Sequence, residues 1–313
     1  MAKKLSVINF KGGVGKTTLA FHLATYFAKD KKVLVIDIDH QSSLSIVILG
    51  GDLWEACAQE GKTINRVFES YTSRKVPMPG KEIVVVNPFH ARQPQYNFYP
   101  NLDLVPAQFE LDDTEIELAA TSIGGPTVSE WEKRTLLASW LDVIDAENKY
   151  DYIIFDCPPA TKLVSQNALA ASDYYLIPVI PDEMSSRGVT HFKNLVENKI
   201  DGKLNYLKNT AGVSASETPK AYVPNTKLAG IVLFMAKPAG AAISGLTNLH
   251  TRQISTLRDR WKDEVLKTEI KHMTGFAETM DSGWPIWTTY VSNATPALKA
   301  MMTKVCKEVE DRI

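Results

Sequence analysis

Cysteine is scarce. Cys57, Cys157 and Cys306 are the only three in 313 residues, far apart and odd in number. That count argues against a disulfide framework or a zinc site and suits a reducing compartment. No apolar run approaches the length of a membrane span, and the opening MAKK leads straight into a strand pattern without an apolar leader. The expected location is therefore the cytoplasm. Charge of one sign is also lacking. The net value is −1 at pH 7, so binding to nucleic acid or an anionic membrane would need a local patch. His22, His40, His90, His191, His250 and His272 are dispersed, with no metal-ligand spacing, and the chain has neither internal repeats nor a low-complexity tail.

What is present is an ordinary globular composition, 44% hydrophobic and 23% charged, with short β-branched runs between helical patterns. The runs are LSVINF (5–10), KVLVIDID (32–39), IVVVNPF (83–89), LDLVPA (102–107), DYIIFD (151–156), YYLIPVI (174–180) and LAGIVLFMA (228–236). Continuous apolar strands of this kind belong to a parallel sheet covered on both faces. The alternation predicts a doubly wound α/β fold with a mostly parallel sheet, spanning 1–313 as one domain. Leu19, Leu23 and Phe27 mark one apolar helix face after the first strand. Residues 50–100 and 201–227 look like elaborations, the second a polar, turn-rich surface excursion. Leu298, Met301, Met302, Val305 and Val309 predict a terminal helix packed on the body. Glu308, Glu310 and Asp311 on its polar side speak against a membrane anchor. Trp284 and Trp287 are expected to pack in a core or interface.

The chemistry begins at residues 6–18, SVINFKGGVGKTT. Gly12, Gly13 and Gly15 follow a strand and precede a helix, where backbone N–H groups wrap a phosphate and the helix dipole favours negative charge. Lys16 would reach the β- and γ-phosphates and the Thr17 hydroxyl would bind Mg²⁺. Phe10 stands where the usual G-x-x-x-x-G-K-[ST] pattern has glycine, and Lys11 is an additional lysine that such a loop does not need. Three acids sit at strand tips. Asp37 and Asp39 end VLVIDID, where alternation points both to one side, and Asp156 ends YDYIIFD as the acid of a Walker B strand does.

KGGVGKTT with its leading lysine, DIDHQSS, DYIIFDCPP and SDYYLIPVIPDEMSSRGV together resemble the ParA/MinD family of deviant Walker A ATPases, closest to the ParA branch. The resemblance runs from residue 3 to about 200 and again through LAGIVLFMAK and the PALK region. It implies ATP and Mg²⁺ as cofactors, bound by Lys11, Gly12, Gly13, Val14, Gly15, Lys16, Thr17 and Thr18. Thr17, Asp37 and Asp156 would hold the metal or its waters, and Asp39 would position the attacking water. Lys11 matches the signature lysine, which crosses a homodimer interface to the partner's ATP, as an arginine finger supplied in trans does. Met235 and Pro238 in FMAKP are candidates for contact with the base.

The resemblance also implies a switch that binds non-specific DNA as the ATP dimer, associates with the nucleoid, and is released when a ParB-like or other adaptor stimulates hydrolysis. Candidate DNA contacts are Arg252, Arg258, Arg260 and Lys262 on a helix. Asp259, Asp263 and Glu264 interleave with them, so an ordinary solvated face is an equal reading. Alternatives are a positioning ATPase for a protein cargo and a MinD-like membrane regulator. The iron–sulfur branch of the superfamily needs two paired cysteines, which Cys157 does not find. His40 replaces the family's usual proline, and Ser42–Ser43 its frequent Gly-Asn pair.

Overall fold

The computed structural model describes residues 1–73, 75–159, 161–236, 247–271 and 273–313, with backbone alone for 183–187. Among the described residues seven strands form one sheet: β1 (Lys3–Val7), β2 (Val33–Asp37), β3 (Val85–Val86), β4 (Leu102–Val105), β5 (Tyr152–Asp156), β6 (Tyr174–Val179) and β7 (Lys227–Leu233). Their order is β3-β4-β2-β5-β1-β6-β7, and every pairing is parallel except β3 with β4. Strands added on both sides of β1 and β5 make this the doubly wound arrangement, with its crevice at the carboxyl ends of the strands.

Alternation builds two cores. Val33 and Val35 of β2 and Tyr152 and Ile154 of β5 pack on one face, whereas Leu34, Ile36, Ile153 and Phe155 pack on the other. All are buried, as continuous apolar strands require. The helices used below are α1 (Lys16–Phe27), α2 (Ser43–Leu49), α3 (Pro126–Val143), α4 (Glu183–Asn194), α5 (Asn248–Trp261), α6 (Thr274–Ser282) and α7 (Pro296–Glu310). Helix α1 buries more than the expected stripe: Phe21, His22 and Thr25 are enclosed along with Leu19, Leu23 and Phe27. It lies between the sheet and α7, whose Leu298, Met302, Val305 and Val309 are buried and Met301 half-buried. Trp284 is buried against Phe89 with ring centroids 5.6 Å apart, and Trp287 is half-buried against His22 and Tyr26.

Two expectations need correction. The run IVVVNPF yields only the two residues of β3. Lys81–Ile83 form a 3₁₀ turn, Asn87 takes a left-handed conformation (φ 44°), and its side chain caps the short helix Pro88–Arg92. Segment 201–227 is not turn-rich throughout. A π-helix, Leu195–Asp201, runs into the α-helix Gly202–Thr210, which buries Leu204 and Leu207. The irregular part that follows is tied down by Asp142, which accepts from the N–H groups of Lys220 (2.6 Å) and Ala221 (3.0 Å).

Candidate functional site

The loop between β1 and α1 lies at the carboxyl edge of the sheet. Gly13 (φ 70°) and Gly15 (φ 88°) are left-handed, and a Cβ at Gly15 would sit 2.4 Å from the Phe234 ring. Glycine is required there for both reasons. Gly15 precedes α1 without a side-chain cap, so the first N–H groups of the helix face outward for an anion. Lys16 is 7% exposed, and its ammonium donates to the Lys11 carbonyl at 3.3 Å. Burial lowers its pKa, partly offset by the charges of Asp156 and Asp39. Val14 is wholly buried and belongs to the core.

Strand register sets the acids side by side. Asp37 and Asp156 are direct partners between β2 and β5, and Val7 is the partner of Asp156 on β1. Both carboxylates are fully buried, yet they are satisfied very differently. Asp37 accepts from the Asp39 N–H (3.0 Å), the Ser45 N–H (2.9 Å) and the Ser45 hydroxyl (2.7 Å). Neither oxygen of Asp156 has a hydrogen-bond partner; its approach to Thr17 falls short of hydrogen-bond geometry. Burial raises both pKa values, Asp37 to about 7, and for Asp156 the charges of Asp37 and Asp39 add to the effect. Strand β2 ends at Asp37, so alternation does not carry on to Asp39. The chain turns, Asp39 accepts from the Gln41 N–H (3.0 Å), and its side chain joins the wall of a cleft of about 350 Å³.

That cleft is also lined by Gly12, Gly13, Gly15, Lys16, Thr17, Thr18, Met235 and Met280. It adjoins an apolar slot of about 190 Å³ between Phe234, Met235, Met273, Phe276 and Met280. Met235, expected from sequence to contact the base, lines both the cleft and the slot. Pro238 lies outside the described residues. Sequence reasoning missed Met273, Phe276 and Met280, because nothing in KHMTGFAETM marks α6 as the far wall of a slot. Lys11 is not in the cleft wall. It is 45% exposed and its ammonium is paired with Asp182, just ahead of α4. A larger cleft of about 570 Å³, lined by Tyr71, Trp131 and Val213, involves none of the residues predicted for the site.

Over residues 2–208 the chain matches the family described as an AAA domain, and it is 30% identical over 210 residues to the chromosome partitioning protein ParA of Caulobacter vibrioides, covering 67% of each. The chain belongs to the ParA/MinD family of P-loop ATPases. It is also 27% identical over 287 residues to the sporulation initiation inhibitor protein Soj of Bacillus subtilis, covering 91% of this chain and 90% of Soj. An ATP-bound variant of McdA from Cyanothece shares the fold, with a TM-score of 0.69 at 19% identity over 100% and 97% of the two chains. A plasmid partition protein of Borrelia burgdorferi bound to AMPPNP does so with a TM-score of 0.60 at 20% identity over the full length of both.

The basic residues proposed from sequence do lie on one helix of this family member, α5, and the turn after it. Arg252, Arg260 and Lys262 are exposed. Arg258 is committed elsewhere, to the Glu269 carboxylate (3.0 Å) and the Lys267 carbonyl (2.9 Å). Among the described residues no cluster of three acids, histidines or cysteines forms a metal site, and no helix is long and apolar enough to cross a membrane.

Proposed function

We propose that this chain is a Mg²⁺-dependent ATPase switch that dimerises on ATP, binds non-specific DNA in that state, and partitions a DNA cargo with an adaptor that stimulates hydrolysis. The observation that supports this most strongly is the Asp156 carboxylate, buried without a partner beside Lys16 and Thr17. A buried, unpaired carboxylate is costly unless a cation or proton answers it. A divalent ion fits: Thr17 and Asp156, with Asp37 behind them, are hard oxygen donors of the kind Mg²⁺ takes. When bound, the ion would neutralise charge on the β- and γ-phosphates.

The chain's own groups divide the remaining work. Loop N–H groups and Lys16 hold the phosphates, Asp39 in the cleft wall orients water, and the methionine slot takes the base. Lys11, held outside the cleft, serves the partner's nucleotide after the Asp182 pair opens, which makes hydrolysis slow in the isolated chain. Arg252, Arg260 and Lys262, all exposed, would meet DNA phosphates. The apolar face of α7 is already spent on α1 and the sheet, which disfavours a lipid-binding helix.

The deciding experiment compares duplex DNA binding with ATP, ADP and no nucleotide over a salt series, alongside Lys11→Ala. Binding only with Mg²⁺ and ATP, weakening steeply with salt and lost in the variant, is expected. If ATP-dependent dimers form but bind no DNA in any state, the protein-cargo reading replaces the DNA one.

A further inference from the structure

At the amino edge of the sheet, opposite the phosphate loop, three lysines line a single cleft of about 470 Å³. Lys32 immediately precedes β2, Tyr150 lies just ahead of β5, Asp103 is on β4, and Val86 is on β3. Five residues of strand separate this edge from Asp37, roughly 16 Å. The Lys81 and Lys149 ammonium groups crowd each other, and Lys149 holds its proton less tightly as a result. No ion pair among the described residues neutralises Lys32, Lys81 or Lys149. The one carboxylate in the cleft wall is already engaged. Asp103 accepts from the Tyr150 hydroxyl (2.8 Å) and from the Asn87 N–H (3.2 Å).

Three like charges gathered in a concavity whose described wall carries one carboxylate, Asp103, leave an excess of positive charge that suits an anion. The rest of the wall is mixed: Val84, Ile144 and Val86, the last 68% exposed, stand beside Asn148 and Tyr150. The volume falls in the range of small-ligand sites. A duplex backbone would be met by cations projecting from an open face, whereas these three surround a hollow.

We propose that this cleft binds a small phosphate ester of mononucleotide size, with its phosphate on Lys32, Lys81 and Lys149 and its flat or apolar portion against Val84, Val86 and Tyr150. The site is separate from the nucleotide cleft of the proposed ATPase and does not depend on that reading.

The test uses a Lys16→Ala chain, so that the phosphate loop no longer competes. AMP, inorganic pyrophosphate, adenosine and duplex DNA are titrated calorimetrically against it, with and without Lys81→Ala and Lys149→Ala. AMP and pyrophosphate are expected to bind saturably, adenosine at least about tenfold more weakly than AMP, and the two lysine changes to lower AMP affinity about tenfold or more. Circular dichroism should show the doubly changed chain folded, because removing two crowded like charges relieves repulsion. Absence of saturable binding by both AMP and pyrophosphate, or affinities unaffected by the lysine changes, overturns the proposal. So does binding of duplex DNA, but not AMP, that depends on Lys81 and Lys149; the lysines would then be backbone contacts.

Discussion

Gly12 and Gly15 sit in one loop under opposite demands. An added Cβ at Gly12 meets nothing within 4 Å, whereas at Gly15 it enters the Phe234 ring with φ at 88°. Gly15→Ala should therefore lose roughly 2–5 kcal/mol of stability, from left-handed strain and overpacking together. Gly12→Ala should unfold within about 0.5 kcal/mol of the parent yet bind ATP at least tenfold more weakly, since its methyl group occupies space meant for the phosphates. Urea unfolding and nucleotide titration of the two variants check this; equal stability losses would refute it. Ser42 offers the reverse case. It is fully buried, left-handed (φ 52°), and its hydroxyl has no partner. Ser42→Gly removes strain and an unpaired polar group together, and a gain of about 1 kcal/mol in thermal unfolding is expected. The serine was visible in sequence as a departure from the family; its strain was not, because φ depends on the turn from Asp39 into α2.

Among the elements, the π-helix Leu195–Asp201 ends on a carboxylate in an uncomfortable place. Asp201 is 3% exposed, accepts from the Thr226 N–H at 3.0 Å, and leaves its other oxygen without a partner. Burial, with the Glu197 charge adding, raises its pKa to about 7. The folded chain thus holds this proton more tightly than the unfolded chain, so stability falls as pH rises from about 4 to 7. Asp201→Asn keeps an acceptor for Thr226 and should flatten that decline, melting higher than the parent at pH 8. A parallel pair of melting curves from pH 5 to 8 would expose the error. This element also shows where the sequence was legible. Apolar runs announced the inner strands, because burial on both faces leaves no room for polar residues. Segment 201–210 hid its helix behind Gly202 and a polar surface, although Leu204 and Leu207 carry its inner face. Edge strand β3 was overread because valines also suit the solvent-facing Val86. The Asp37–Asp156 pairing needed register, which one sequence does not print.

For the whole molecule, the proposed switch sets the Lys11–Asp182 pair against assembly. Both side chains are partly exposed, 45% and 32%, so the pair contributes at most about 1 kcal/mol. Asp182→Asn should strengthen ATP-dependent self-association by up to about fivefold, read by sedimentation velocity over a range of protein concentrations. Unchanged or weaker dimers would show that Lys11 is not being held back. The signature lysine could be picked out from its position in the loop, but the carboxylate that holds it lies 171 residues away.

His22 joins two parts of this machine. Its Nδ1–H donates to the Thr18 carbonyl (2.7 Å), and Nε2 accepts from the Ile286 N–H (3.3 Å), in full burial that lowers its pKa to about 4. The helix behind the phosphate loop is thereby pinned, through one neutral ring, to the segment that follows the slot-forming α6. Acidification from about pH 6.5 towards 4 costs stability here, because the protonated ring sets donor against donor. The pin is an acid-labile rivet: as it loosens, the helix behind the glycine loop and the segment after α6 are expected to part before the central strands do.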